Sequence, residues 1–299
     1  PLGSESDGWL AELVAELNSL ENVCIMRRTT VFGAYDDNSF GLVERVADHV
    51  TEPAPHQPRQ RYFNLRCAKA VIAAGAGERG IVFANNDLPG VMLASAVRGY
   101  INRFAVLPGK RLVIFTNNDT AYATAIDAAT AGAQVTVVDV RSTVPDSLQD
   151  HCVSAGVTLI TGHLVAAARG RRHVVSAEIA PFDPETGDVG NVTRHIPCDV
   201  IGVSGGWNPL VHLASQRGIK PVYREDMAAF VADPSPEGQI QVGSCNGAVS
   251  TTHCIEQGFV AGRDAARASG KRSAVGKCIP FPDGGAWHHA NSLLPLWAV

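Results

Sequence analysis

The residues best placed to do chemistry sit in short, glycine-bearing turns. VGSCNGAVSTTHC, residues 242–254, reads as a strand, then Gly243 and Gly247, then Ser250, Thr251 and Thr252 at a helix start. Cys245 and Asn246 stand inside that turn. Such a stretch can receive an anion, because the first turn of a helix leaves amide N–H groups unpaired and carries the positive end of the helix dipole. It would equally serve a capped helix with no ligand, and the residues alone leave both readings open. VIAAGAGER, residues 71–79, is a strand ending in Ala74, Gly75 and Ala76, where small side chains let a cofactor or another backbone approach. Any tight strand-to-loop turn would look similar. A third turn, TNNDTAYATA at 116–125, joins a strand to a helix where a dinucleotide-binding unit places G-x-G-x-x-G. It carries Asn117, Asn118 and Asp119 instead. Asp119 reads as the helix N-cap, occupying amides that a phosphate would need and adding negative charge where more would arrive. The unit is expected to keep its architecture, with Ala121, Ala123 and Ala125 packing close, and to lose its phosphate site. Asp139 ends the next strand, where a ribose-binding carboxylate would lie. Without the glycines it reads as a cap or turn residue.

Nucleophiles and metal ligands are poorly grouped. His253 and Cys254 are neighbours, so on a helix they point about 100° apart and make a poor nucleophile–base pair. His288 and His289, beside Trp287, have no carboxylate or third ligand at a useful spacing. Neither G-x-S-x-G nor a P-loop occurs. The seven cysteines are scattered with no C-x-x-C, which argues against a disulfide framework, a zinc site or a ferredoxin-type cluster. No metal site is expected, and no residue is assigned a catalytic role.

The elements that would hold these turns alternate. Asp7–Leu20 is an amphipathic helix with Leu10, Leu13, Val14, Leu17 and Leu20 on one face, and Asn22–Met26 a short buried strand. Strand signals follow in 29–49 and in RYFNLRCAKAVIAAGA, separated by the polar loop TEPAPHQPRQR, and Pro89–Phe104 reads as a helix. The pattern restarts at Gly109: strand 111–116, helix 119–131, strand 134–139, helix 146–155, strand 157–160. A hairpin over 173–180 and 192–197, strands at CDVIGVSGG and IQVGSCNG, and a helix over 251–268 complete it. Alternation of this kind predicts an α/β fold with a parallel sheet. The restart suggests a unit of 106–206 inserted into one made of 1–105 and 207–270, with 271–299 as a connector.

Composition sets outer bounds. A chain of 299 residues, 45% hydrophobic, can bury one large or two medium cores. Its net charge of −4 gives no footprint for nucleic acid or an anionic membrane. No apolar run approaches the roughly 20 residues that span a bilayer, and no basic region precedes an apolar one at the start. A cytoplasmic setting is expected.

Five stretches, in order and covering nearly the whole chain, resemble the α subunit of heterotetrameric sarcosine oxidase. They are RTTVFGAYDDNSFGLVERVADH, VIAAGAGERGIVFANNDLPGVMLASAVRGYINRF, FTNNDTAYATAIDAATAGAQVTVVDVR, SGGWNPLVHLASQ and the strand-turn around CNG. FANNDLPGVMLA followed by SGGWNP is the specific combination. Gly77 and Gly80 depart modestly from the family's usual residues around Glu-Arg. The resemblance implies a two-dinucleotide-binding-domain fold like that of the disulfide reductases, with NAD in the first nucleotide-binding domain. It implies a β subunit that carries FAD and oxidises sarcosine, FMN between α and β, small γ and δ subunits, and a C-terminal domain passing the methylene unit to tetrahydrofolate, with formaldehyde as the product otherwise. The family's first strand with its G-x-G-x-x-G would lie upstream of Pro1 and the folate domain beyond Val299. The resemblance places Thr30 and Val31 on the adenine side, with Ala74–Ala76 and Gly243–Thr252 forming the wall of the site. Related opine oxidases and amino-acid dehydrogenases often carry a cysteine cluster in this subunit, so the scattered cysteines favour the sarcosine branch. A non-catalytic scaffold remnant, its dinucleotide site decayed, is the rival reading.

Overall fold

The computed structural model describes residues 4–271 and 292–299. Helix α1 (Ser4–Ser19) leads into an antiparallel meander of β1 (Thr29–Tyr35), β2 (Ser39–Arg45) and β3 (Gln60–Arg66). Three short strands follow, β4 (Ala70–Ile72), β5 (Ala76–Glu78) and β6 (Val91–Leu93), and then α2 (Ala94–Phe104). The regular alternation comes next: β7 (Arg111–Thr116), α3 (Ala121–Thr130), β8 (Gln134–Asp139), α4 (Asp146–Ser154) and β9 (Thr158–Thr161). A second meander comprises β10 (His163–Gly170), β11 (Val174–Pro181) and β12 (Arg194–Pro197). The chain continues through β13 (Val200–Ser204), β14 (Trp207–Pro209), α5 (His212–Gln216), β15 (Val222–Arg224), β16 (Ala229–Val231) and β17 (Gln239–Gln241). A 3-10 turn at Gly243–Asn246 then precedes α6 (Thr251–Ala268).

The centre is a five-stranded parallel sheet in the order β6-β13-β7-β8-β9. Its strands are nearly continuous apolar runs because both faces are covered. Successive side chains alternate between faces. On β7, Val113 and Phe115 enter one core with Ile201, Val203, Val138 and the second meander. Leu112 and Ile114 enter the other, with Val135, Val137, Val200 and helices α2, α3 and α4. Each such fully buried side chain contributes about 1.5–3 kcal/mol. This places the C-terminal ends of β7, β8 and β13, and every turn that leaves them, on one rim.

Two further pairings tie this sheet to the rest. β4 and β17 run parallel, Ala70 beside Gln239 and Ile72 beside Gln241. β5 and β14 run antiparallel, Glu78 opposite Trp207 and Ala76 opposite Pro209, so the outgoing and returning chains lie side by side. The first meander packs Ala34, Phe40 and Leu42 under Ala70 and Ile72.

Several elements differ from expectation. Helix α2 begins at Ala94, because Val91–Leu93 pairs with Ile201–Val203 as the edge of the parallel sheet. The sheet therefore draws a strand from before residue 106. Asn22–Met26 forms neither a strand nor a buried segment: it is turn and coil, and all of it but Val23 is exposed, so its apolar side chains find no core to enter. Helix α1 forms but ends at Ser19, and Leu10 and Leu17 on its apolar face, with Leu20 just past its end, stay exposed. The alanine-rich β10 gave no strand signal and exists through its ladder to β11. Trp287, His288 and His289 lie outside the described residues, as does most of 271–299.

Candidate functional site

Two of the expected stretches meet at the ends of adjacent parallel strands. β4 ends at Ile72 and β17 at Gln241, and the turn after β17 is tied back across the gap: the Val242 amide donates to the Ile72 carbonyl at 2.9 Å. Cys245 is buried and its thiol donates to the carbonyls of Ile72 and Val242, so it packs the turn and is closed to a ligand. Ala74, Gly75 and Ala76 lead out of β4 into β5, and Gly75 takes the left-handed conformation, φ 81°. A side-chain carbon at Gly75 or Gly77 would meet nothing within 4 Å, so the backbone here is open to approach.

The opposite wall is the 3-10 turn and the start of α6. Gly243 and Gly247 both have left-handed φ, 71° and 82°. The left-handed φ of the turn favours glycine at 247 whatever binds, and a side-chain carbon there would also press on Cε of Met227 at 2.9 Å, the movable end of a flexible side chain. Much of the expected amide set is already engaged. The Gly243 amide donates to Gln257 Oε1 at 2.9 Å, and Asn246 Nδ2 donates to the same oxygen at 3.4 Å. Ser250 is the N-cap of α6, its hydroxyl accepting from the His253 amide at 3.2 Å. Thr251 and Thr252 form the first turn of that helix, Thr251 exposed. Thr30 and Val31 lie on β1, exposed and paired with Val43 and Leu42 of the first meander. The Cys254 thiol faces Ser244 and the Ala248 carbonyl, and the His253 ring faces Gln257, so no nucleophile–base pair forms.

This crevice opens on a cleft of about 810 Å³ to which Ala76 and Gly247 belong. Ser244, Ala248 and Val249 of the expected turn line it too, and the rest of its walls went unread in the sequence. Ser95, Arg98, Gly99, Asn102 and Arg103 recur at helical spacing along one face of α2, and Glu78, Thr120, Thr124 and Trp207 come from three other elements. The α2 stripe was legible as a pattern. Only the sheet says which way it faces. Glu78 accepts the Ser95 amide at 2.7 Å, filling the anion-favouring first turn of α2. Burial pushes its carboxyl above the usual range, against hydrogen bonds from Ser95 and Ser204 that pull it down. Arg98 and Asn102 both donate to Asp127 at 2.7 Å, clamping α2 to α3. Trp207 Nε1 donates to Thr120 Oγ1 at 3.0 Å.

The third turn is closed. Asn117, Asn118 and Asp119 are buried, and Asp119 is not the helix cap that the sequence suggested. The cap position of α3 falls to Thr120, and Asn118 Oδ1 accepts the Thr120 amide at 3.0 Å. Asp119 instead accepts from Arg141 Nη1 at 2.6 Å and from the Ser292 amide at 3.0 Å. Asp139, fully buried, accepts from the Arg141 amide at 2.9 Å and from its side chain, and from the Tyr122 hydroxyl at 2.8 Å. Burial opposes the charge on Arg141, but the hydrogen bonds and charges of Asp139 and Asp119 outweigh it and hold the guanidinium protonated. The same burial, with Asp139 beside it, drives the Tyr122 phenol upward. Among the described residues no cluster of His, Cys, Asp and Glu could hold a metal, and no helix is long and apolar enough to cross a membrane.

A parallel sheet with a crevice at its strand ends, joined by paired crossings to a second strand-end crevice, is the two-dinucleotide-binding-domain fold of the FAD- and NAD(P)-binding disulfide oxidoreductases. Solved structures agree on the fold. The chain superposes on thioredoxin reductase of T. acidophilum with a TM-score of 0.59 at 15% identity, covering 87% of this chain and 79% of that one. It superposes on L-proline dehydrogenase of P. horikoshii with a TM-score of 0.59 at 18% identity, covering 89% and 46%. No family model matches. In sequence the chain is 37% identical to the sarcosine oxidase α subunit of Corynebacterium sp. (strain P-1) over 99% of its own length and 30% of that subunit. The corresponding figures for the α subunit of Rhizobium meliloti (strain 1021) are 39%, 81% and 23%. The chain is thus a relative of the sarcosine oxidase α subunits and spans less than a third of their length.

Proposed function

We propose that this chain is the nucleotide-binding portion of an oxidoreductase α subunit of the sarcosine oxidase kind. NAD would be held at the β4–β17 crevice, and amine oxidation would take place in a partner flavin subunit. The carrying observation is the open backbone at Ala74–Gly77 beside the 3-10 turn, at the ends of adjacent parallel strands. Ligands of open α/β sheets bind outside the carboxyl ends of the strands. Such a cradle suits a dinucleotide: Gly75 and Gly77 leave room for backbone approach, and Ser244, Asn102 and Thr120 line the cleft with polar side chains. Thr30, Val31, Thr251 and Thr252 belong to this proposal as outer contacts, and Cys245 as a packing residue of the wall. A nicotinamide dinucleotide supplies a hydride acceptor when bound. The chain's own residues bind and orient it; none of them stands as an acid, base or nucleophile toward an amine.

The division into 1–105 with 207–270 around 106–206 belongs to the same proposal, as do FAD, FMN and tetrahydrofolate elsewhere in the complex, the β, γ and δ partners, and sarcosine as the amine. The relatives' name and the fold support it. Two measurements test it. The isolated chain, given sarcosine and a dye acceptor, should show no turnover, and robust activity without partners would overturn the division of labour. In the intact subunit, NAD released on denaturation should approach one per chain, and Gly75→Val should lower that content at least tenfold. Unchanged NAD in that variant would remove the crevice as the site.

A further inference from the structure

The segment Ser292–Val299 lies across the rim of the parallel sheet, over the turn where the second unit would receive a pyrophosphate. Its contacts are numerous and directional. The Leu294 amide donates to the Asn117 carbonyl at 3.0 Å, and Asn117 Nδ2 donates back to the Leu294 carbonyl at 2.8 Å. Leu293 bridges Asn118 in antiparallel fashion. The Ser292 amide donates to Asp119, and Arg141 donates to the Ser292 carbonyl at 2.8 Å and to its hydroxyl. Farther along, the Val82 amide donates to Trp297 at 2.8 Å and the Val299 amide to Val82 at 2.9 Å, while Arg79 stacks on the Trp297 ring. Leu294 and Leu296 pack against the core between the sheet and the second meander.

We infer that residues 292–299 are the resident ligand of the second unit, a built-in strap that takes the place of a nucleotide at the N-terminus of α3. Three observations converge. The strap's backbone uses the hydrogen-bonding groups of Asn117 that face the rim. Its Ser292 amide completes the solvation of Asp119, a carboxylate that a phosphate would otherwise have to face. Arg141, the cation bonded to Asp119 at that helix start, is spent on Asp119, Asp139 and Ser292 together. Two buried carboxylates share this single guanidinium, so an incoming pyrophosphate meets net negative charge as well as a filled mouth. The turn at 117–119 is thereby closed to a dinucleotide, and the second unit serves as the seat of the strap.

The inference borrows from the proposed function only in its choice of probe, and the test is arranged so that the two fail separately. Hydrogen exchange is followed on the intact protein, first with no nucleotide. The amides of Leu294, Val299 and Val82 should exchange at least about 100-fold more slowly than in the unfolded chain; exchange at the unfolded rate would overturn the strap. NAD, and separately ADP, is then added at millimolar concentration. Thr120 and Leu293 border the cleft itself, so the decisive amides are those deeper in the closed turn. Protection at 117–119 and 294–299 should stay as it was, whatever happens at 73–77 and 243–249. New protection at 117–119 together with release of 294–299 would overturn the exclusion of nucleotide. Ser292→Pro, which removes the amide that serves Asp119, should speed exchange at Leu294 about tenfold with 73–77 unmoved. No change at Leu294 would overturn the role given to Ser292.

Discussion

The two strand-end turns of this molecule are built on one plan and have opposite fates. At β4–β17 the turn is glycine-bearing, its backbone is open, and a cleft lies before it. At β7–α3 the turn is made of Asn117, Asn118 and Asp119, every one buried, and the chain's own strap lies over it. Parallel pairing and helix packing alone leave both places available to an anion. What separates them is side-chain chemistry at three residues. Glycine at 75 and 77 leaves the backbone uncovered, whereas asparagine and aspartate fold their own polar atoms onto that backbone and onto Ser204, Arg141 and Ser292. A fold can keep the geometry of a binding site while substituting an internal partner for the ligand.

The comparison is most severely broken at Arg141. Arg141→Met leaves Asp119 and Asp139 buried without their cation, and removing one member of a buried ion pair costs about 3–5 kcal/mol. Urea unfolding of the variant should show that loss; a change below about 1 kcal/mol would mean the closed turn is not held by charge. Asp119→Ala comes next, because it removes the acceptor of both Arg141 and Ser292 yet leaves Arg141 its bonds to Asp139. A loss of about 2 kcal/mol is expected, with bound NAD unchanged. The helix-cap role read from sequence would instead give about 1 kcal/mol.

On the open side, Ser250→Ala removes the side-chain acceptor for the His253 amide and should cost about 1 kcal/mol through the start of α6. Thermal unfolding with and without NAD sharpens the contrast: equal losses in both mark Ser250 as a cap only. The smallest effect belongs to Glu78. Its pKa is raised by burial, so its contribution favours folding fully below the ordinary value of 4.5 and is lost as pH rises through the raised value. Glu78→Gln, which still accepts the Ser95 amide, should flatten the fall in stability across that window. A stability–pH curve with the wild-type slope would show that another group sets it.

The periodic parts of the molecule were legible in the sequence because local physics decides them. β7 at 111–116, β8 at 134–139 and α6 at 251–268 stand where the apolar pattern and the turn residues predict. The motif order carried the relationship to the sarcosine oxidase α subunits for the same reason: it is written residue by residue. The polar residues that replace glycine at 117–119 were legible, but the partner of Asp119 was not. Arg141 lies 22 residues away and Ser292 173 residues away, and no local signal couples them. Nor does any local signal make Val91–Leu93 a strand or turn the α2 stripe toward Trp207, since both follow from where β13 and β14 return. The sequence by itself determined which turns have glycine and which have polar side chains. Only the tertiary structure decided which polar groups would satisfy one another, because burial forces each to find a partner and the nearest partners in space are distant along the chain.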